Sequence, residues 1–160
     1  MCIRDSYWVS YPDITQLCDG QPIIVECQQS DKFKIRPEQL RRAISAKTKW
    51  LILNSPNNPT GAVYSQEELR SLSKVLLDHP GVLVLCDDIY EHIVYDSDAF
   101  TTLAAVEPRL KDRTLIVNGV SKVYAMTGWR IGYSAGPNWL ISAMTKLQGQ
   151  STTCLSLIHI

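Results

Sequence analysis

Short apolar runs that each end in a polar cluster constrain this 160-residue chain more than any other feature. Lys49–Leu53, Val82–Cys86 and Thr114–Val117 have strand length and little polar alternation, as strands buried on both faces do. Between the first two lies Ser65-Gln66-Glu67-Glu68, a capping box in which the serine and the third following residue satisfy the first helical amides. The helix it opens carries Leu69, Leu72, Val75 and Leu76 on one face and stops before the breaker pair Pro80-Gly81. Strand alternating with helix predicts an α/β layer around a mostly parallel sheet. In such sheets ligands gather at the carboxyl ends of strands. Asn54–Gly61, Asp87-Asp88 and Gly119–Lys122 all fall there.

The flanking segments extend the pattern. Tyr7–Tyr11, aromatic and β-branched, reads as a strand or a strand end. Pro12-Asp13 opens a helix ending near Gly20, and Pro22–Cys27 is a buried strand. Gln28–Lys34 reads as a loop, and Pro37 suits the first position of a helix running to Ala46. Ile131–Ala135 is a further strand, followed by a helix over Asn138–Gln148. Hydrophobic residues make up 45% and charged residues 20%, enough apolar material for one domain with its own core.

Several functions are disfavoured. The formal net charge is zero and no block of like charges occurs, so nucleic acid is not an expected partner. No apolar run reaches membrane-spanning length, and the first residues lack a secretory pattern, so no membrane partner is expected. Cys2, Cys18, Cys27, Cys86 and Cys154 show no zinc-ligand spacing, so no metal is expected. Such a scattered, odd set suits reduced thiols and a cytoplasmic setting. Nucleotide-binding glycine patterns and the GxSxG elbow are absent.

The polar clusters carry the chemistry. Lys122 stands beside Ser121, with Arg130 eight residues on. A lysine amine condenses with the aldehyde of pyridoxal 5'-phosphate (PLP), while a hydroxyl and a guanidinium can hold its phosphate. Asp87 ends an apolar run, where a carboxylate is stable against a pyridinium nitrogen. Tyr90 shares a face with it if a helical turn starts there. The Asn54–Gly61 loop, stiffened by two prolines and a glycine, could aim the Asn58 amide at a phenolate-like oxygen. Trp8 offers a face for stacking on a planar ring. Each has a plainer alternative: a solvated lysine, an N-cap aspartate with a core-edge tyrosine, an Asx-turn loop, a core tryptophan. Asp88 reads as a solvated first-turn acid, Glu91 as a surface residue, and His92 as a packed or surface histidine.

Asn57-Asn58-Pro59-Thr60-Gly61, Asp87-Asp88-Ile89-Tyr90, and Ser121-Lys122 with Thr127-Gly128-Trp129-Arg130-Ile131-Gly132 together resemble the class I/II aminotransferases. Tyr7–Pro12 and Ala125–Arg130 look most like the bacterial aspartate aminotransferase subgroup. The likeness implies the three-layer large domain of the fold-type-I PLP enzymes, truncated, over residues 7–153. It implies Lys122 as Schiff-base lysine and proton shuttle, and Asp87 on the ring nitrogen. It also implies Tyr90 and Asn58 on the ring oxygen, Ser121 and Arg130 on the phosphate, and Trp8 stacked on the ring. Substrates would be an amino acid, aspartate foremost, and a 2-oxo acid; the full-length parent would be a cytoplasmic homodimer. The family's amino-side arm and carboxyl-side small domain have no counterpart here. Residues 1–6 and 155–160 depart from the family pattern and are expected to be non-native. Two rival expectations follow: an inactive truncated fragment, or a lyase, racemase or decarboxylase of the same fold.

Overall fold

The computed structural model describes residues 7–95 and 100–151. Its elements in chain order are α1 (Ser10–Leu17), α2 (Pro37–Ala43), β1 (Trp50–Asn54), α3 (Gln66–Leu77), β2 (Leu83–Asp87), α4 (Leu103–Val106), β3 (Thr114–Gly119), β4 (Gly132–Ala135) and α5 (Asn138–Ser151), with 3-10 turns at Gln29–Asp31, Pro108–Arg113 and Thr127–Trp129. The capping box at the start of α3 forms: Ser65 Oγ accepts from the Glu68 amide at 3.2 Å, and the Ser65 amide donates to Glu68 Oε2 at 2.7 Å. Burial alone would push the Glu68 carboxyl up, but the Lys34 ammonium and the Ser65 amide outweigh it and hold it below its usual range.

The four strands form one sheet in the order β1-β2-β3-β4. The first three are parallel, and β4 runs antiparallel to β3. A mostly parallel α/β sheet is therefore present, as the alternation of elements predicts. Leu40 of α2, Leu69, Leu72, Val75 and Leu76 of α3, and Leu103 of α4 pack with Val84 and Cys86 of β2 on one face of the sheet. The α3 stripe buries fully because its spacing matches the helical repeat. Burying its four apolar side chains contributes roughly 1.5–3 kcal/mol each before entropy is counted.

Arg113 ties this layer to the sheet. Its Nη1 donates to the carbonyls of His79 and Val82 at 2.8 Å, and its Nη2 to the carbonyl of Leu76 at 2.6 Å. A helix leaves its last carbonyls unpaired, and one guanidinium fork satisfies a carbonyl of α3 together with two in the turn leading to β2.

Two segments depart from the sequence expectation. Ser10 and Tyr11, read as strand, open α1. Pro12 then stands within the first turn, where a missing N–H breaks no helical bond. Pro22–Cys27 is not a strand, and Ile23 and Ile24 stand 64% and 50% exposed. A strand exists only by pairing, and none of the four strands pairs with this run. Smaller differences lie at element ends: α2 stops at Ala43, where Ile44 turns extended, and a short 3-10 turn interrupts the 28–34 loop. Residues 1–6 and 155–160 lie outside the described residues. No described helix is long and apolar enough to cross a membrane.

Arg113→Ala should lower the urea midpoint of the chain by the equivalent of roughly 2 kcal/mol, since three charge-assisted hydrogen bonds to carbonyls are lost. Arg109→Ala, which only releases a surface pair with Glu107, should leave the midpoint where it is. Equal midpoints for the two variants would rule out the role assigned to Arg113.

Candidate functional site

Strand register builds a common rim. Asn54, the last residue of β1, lies opposite Asp87, the last of β2, and Asp87 lies opposite Val117 of β3. Because β4 runs back against β3, Gly132 pairs with Gly119 at the same edge. The 120–131 connection, which carries Ser121, Lys122 and Arg130, therefore starts and ends there. The glycine pair permits the return: a Cβ on Gly119 would sit 3.1 Å from the Ile131 carbonyl oxygen, and one on Gly132 3.2 Å from that of Asn118.

Asp87 is the centre of the contacts. Burial along β2 alternates, with Val84 and Cys86 inside and Leu83, Leu85 and Asp87 half-buried. The strand period of two therefore turns Asp87 to the face opposite the core. There the Tyr11 hydroxyl of α1 donates to Asp87 Oδ2 at 2.6 Å. This contact places the Tyr11 end of α1 on the second face of the sheet. Asp87 Oδ1 accepts the Ile89 amide at 3.3 Å. Burial, reinforced by the Asp87 carboxylate, pushes the Tyr11 phenol far above its ordinary range, so it remains a donor. Trp8 packs edge-on against Tyr11, with ring centroids 5.4 Å apart, and keeps 43% of its surface exposed.

The Asn58 loop joins the same residue from the other side. The buried Asn54 side chain donates from Nδ2 to the Asp87 carbonyl at 2.9 Å and accepts the Asn58 amide at 2.8 Å. The Asx turn falls on Asn57, whose Oδ1 accepts from the Thr60 amide and hydroxyl. The Asn58 side chain, half-buried, makes no hydrogen bond to a described residue. Across the rim, Lys122 Nζ stands 5.6 Å from the centroid of the Tyr90 ring. Ser121 is half-buried, and Arg130 is exposed with its guanidinium on the Thr127 carbonyl at 2.9 Å. Trp8 is thus linked to Asp87 through Tyr11, and Asn58 through Asn54, while Lys122 meets Tyr90. Among the described residues, no hydrogen bond or ion pair joins Ser121 or Arg130 to either group. Both Ala125 and Arg130 adopt positive φ, 52° and 53°, so this loop holds conformations that side chains rarely take.

The sequence reading of Asp88 is corrected. Asp88 is only 4% exposed, because the strand period returns it to the core face beside Cys86. Burial, with Glu91 and Asp87 adding charge, pushes its carboxyl up to about 7, although the nearby Thr102 hydroxyl tempers the shift. Thr102 Oγ1 itself is buried and reaches hydrogen-bond geometry with no described residue. The Cys86 thiol rises to about 12, from burial first and then the Asp88 charge. Glu91, read as surface, is half-buried and accepts from Asn118 Nδ2 at 2.7 Å, whereas the His92 side chain is on the surface. No described cluster of His, Cys, Asp or Glu could hold a metal ion.

Two members of the site escaped the sequence reading. Tyr11 lies three residues after Trp8, a spacing that signals a shared face only once a helix is recognised there. Asn54 was legible only as a polar end to an apolar run.

The family model for aminotransferase class I and II matches residues 2–159. The aspartate aminotransferase of Rhizobium meliloti is 56% identical over 156 residues, covering 98% of this chain and 38% of that protein. The aspartate/prephenate aminotransferase of Cereibacter sphaeroides is 56% identical over 147 residues, covering 92% of this chain and 37% of that protein. The chain thus spans about two fifths of the length of these curated relatives. The crystal structure of the Rhizobium meliloti aspartate aminotransferase superposes with a TM-score of 0.92 at 54% identity, over 96% of this chain and 38% of that one. The Thermus thermophilus aspartate aminotransferase with maleate gives 0.86 at 44% identity, over 92% and 37%.

The raised carboxyl of Asp88 has a pH signature. Its folded value of about 7 lies above the ordinary 3.8, so the folded state holds a proton that the unfolded chain releases. That stability is fully present below about pH 4 and lost as pH rises through about 7. Asp88→Asn should flatten the fall in urea stability across this window, a difference on the order of a few kcal/mol between its ends. Parallel pH profiles for the variant and the unaltered chain would show that Asp88 is not the group responsible.

Proposed function

We propose, from the premise that this chain belongs to the class I and II aminotransferase family, that the full-length protein carrying it is a PLP-dependent aminotransferase. It would move an amino group between an amino acid and a 2-oxo acid, with aspartate as the favoured donor. The relatives named for aspartate support that choice, as does the Thermus structure with maleate, a dicarboxylate of aspartate's length. By the same reading the full-length protein is a cytoplasmic homodimer, and residues 7–153 form part of its large, cofactor-binding domain.

The observation that carries this reading is the state of Asp87. It is a half-buried carboxylate at a sheet rim, anchored through Oδ2 and the main chain, and no lysine or arginine pairs with it among the described residues. A carboxylate so placed fits the protonated nitrogen of a pyridine ring. Asp87 would hold that nitrogen, Asn58 and Tyr90 the ring oxygen, Ser121 and Arg130 the phosphate, and Trp8 the ring face. Lys122 Nζ is the attachment point and the group that carries a proton to and from the substrate α-carbon. When bound, PLP supplies a sink for the electron pair left at that carbon. Tyr11 keeps the Asp87 carboxylate oriented, and burial raises its phenol so that it stays a hydrogen-bond donor.

The 160-residue chain by itself is a separate case. Trp139 and Leu147 of α5 are 58% and 72% exposed, and no side chain of that helix is buried. An apolar surface left so open needs a cover that the remaining length of the relatives would supply. We therefore assign the isolated chain weak cofactor binding and no turnover.

Borohydride treatment of the chain mixed with PLP should fix a pyridoxyl group mainly on Lys122, detected by peptide mapping. Label spread evenly over the lysines would count against the assigned site. In the full-length protein, Lys122→Ala should abolish transfer from aspartate to 2-oxoglutarate. Asp87→Ala should lower kcat/KM at least a hundredfold, and Asp88→Asn far less. Equal losses for the two aspartate variants would remove Asp87 from the ring nitrogen.

A further inference from the structure

We propose that Asn54 is a positioning residue that couples Asn58 to Asp87, so that the two cofactor contacts move as one unit. The proposal rests on the reading of Asp87 and Asn58 as opposite contacts on one flat heterocycle.

The observations are geometric. Asn54 is 8% exposed and ends β1 directly opposite Asp87. Its Nδ2 donates to the Asp87 carbonyl at 2.9 Å. Its Oδ1 accepts the main-chain amide of Asn58 at 2.8 Å and, more weakly, Asn57 Nδ2 at 3.5 Å. The next main-chain donor to the Asp87 carbonyl, the Ser55 amide, is long at 3.4 Å. The ladder between β1 and β2 is failing at this point, and the Asn54 side chain takes over as the bridge.

The chemistry of the side chain explains the choice. A planar amide carries a donor at one corner and an acceptor at the other. Aspartate would present only acceptors to the Asp87 carbonyl, and leucine would offer neither. A tight Asx turn alone would use the acceptor and leave the donor to solvent. Here the donor crosses to a neighbouring strand, 33 residues away in sequence. The separation of Asn58 from Asp87 is thus set before any ligand arrives, which lowers the ordering cost of binding.

Two variants separate the arms. Asn54→Ala removes both bonds. Asn54→Asp keeps an acceptor for Asn58 but loses the donor to Asp87. Hydrogen exchange of the Asn58 amide, measured without cofactor, should rise at least tenfold in Asn54→Ala, while the β1 and β2 ladder amides stay protected. In Asn54→Asp the Asn58 amide should stay protected. The equilibrium constant for PLP, measured on the full-length protein, should weaken about three- to tenfold in both variants, the value of one lost hydrogen bond. Exchange at Asn58 that rises only in step with the ladder amides would overturn the proposal, since Asn54 would then be a general stabiliser. Unchanged PLP affinity in both variants would overturn it as well. Failure of borohydride to label Lys122 in the unaltered full-length protein is a different result: it removes the cofactor reading itself, whatever the exchange data say.

Discussion

The parallel register of β1, β2 and β3 is the constraint on which everything else depends. Asn54 and Asp87 end β1 and β2 abreast of Val117, two residues before β3 ends at Gly119, so three loops distant in sequence leave the sheet along one edge. Parallel strands need crossovers long enough to return over the sheet. Here α3, then α4 with the Pro108–Arg113 turn, supply them and bury the core beneath. The antiparallel return of β4 brings the 120–131 connection to that edge, and two facing glycines make the close approach possible.

Adjacent aspartates show how one backbone period gives identical side chains different chemistry. Asp87 faces away from the core, where Tyr11 and the Ile89 amide hold its two oxygens. Asp88 turns inward beside Cys86, and burial drives its carboxyl toward neutrality. A one-residue slip in β2 would exchange their environments and turn Asp87 into the core. The apolar contacts of Val84 and Cys86 with α3 forbid that slip, so core packing and site chemistry are two consequences of one register.

Much of this was legible in the linear text. The Ser65 capping box, the α3 stripe and the Pro80-Gly81 stop are local patterns, and local physics is enough to realise them. The apolar runs at β1, β2 and β3 were equally plain, and the polar groups after them fell where a parallel sheet puts ligands. The run Pro22–Cys27 misled because its composition suits a strand that needs a neighbour to exist. Tyr7–Tyr11 misled because aromatic β-propensity concealed a helix start. Tyr11 and Asn54 stayed hidden because neither residue type is unusual, and their importance lies only in what they touch across the fold.

By itself, the amino-acid sequence determined the element types over its strongly periodic segments, the alternation that demands an α/β sheet, and the residue types available at each strand end. These follow from side-chain spacing and capping, which act within a few residues. Only the tertiary structure decided which aspartate faces the rim, which hydroxyl holds it, and how the Asn58 loop is tied to Asp87. Those outcomes depend on register and on which face of the sheet the core occupies, and both are set by contacts between segments tens of residues apart.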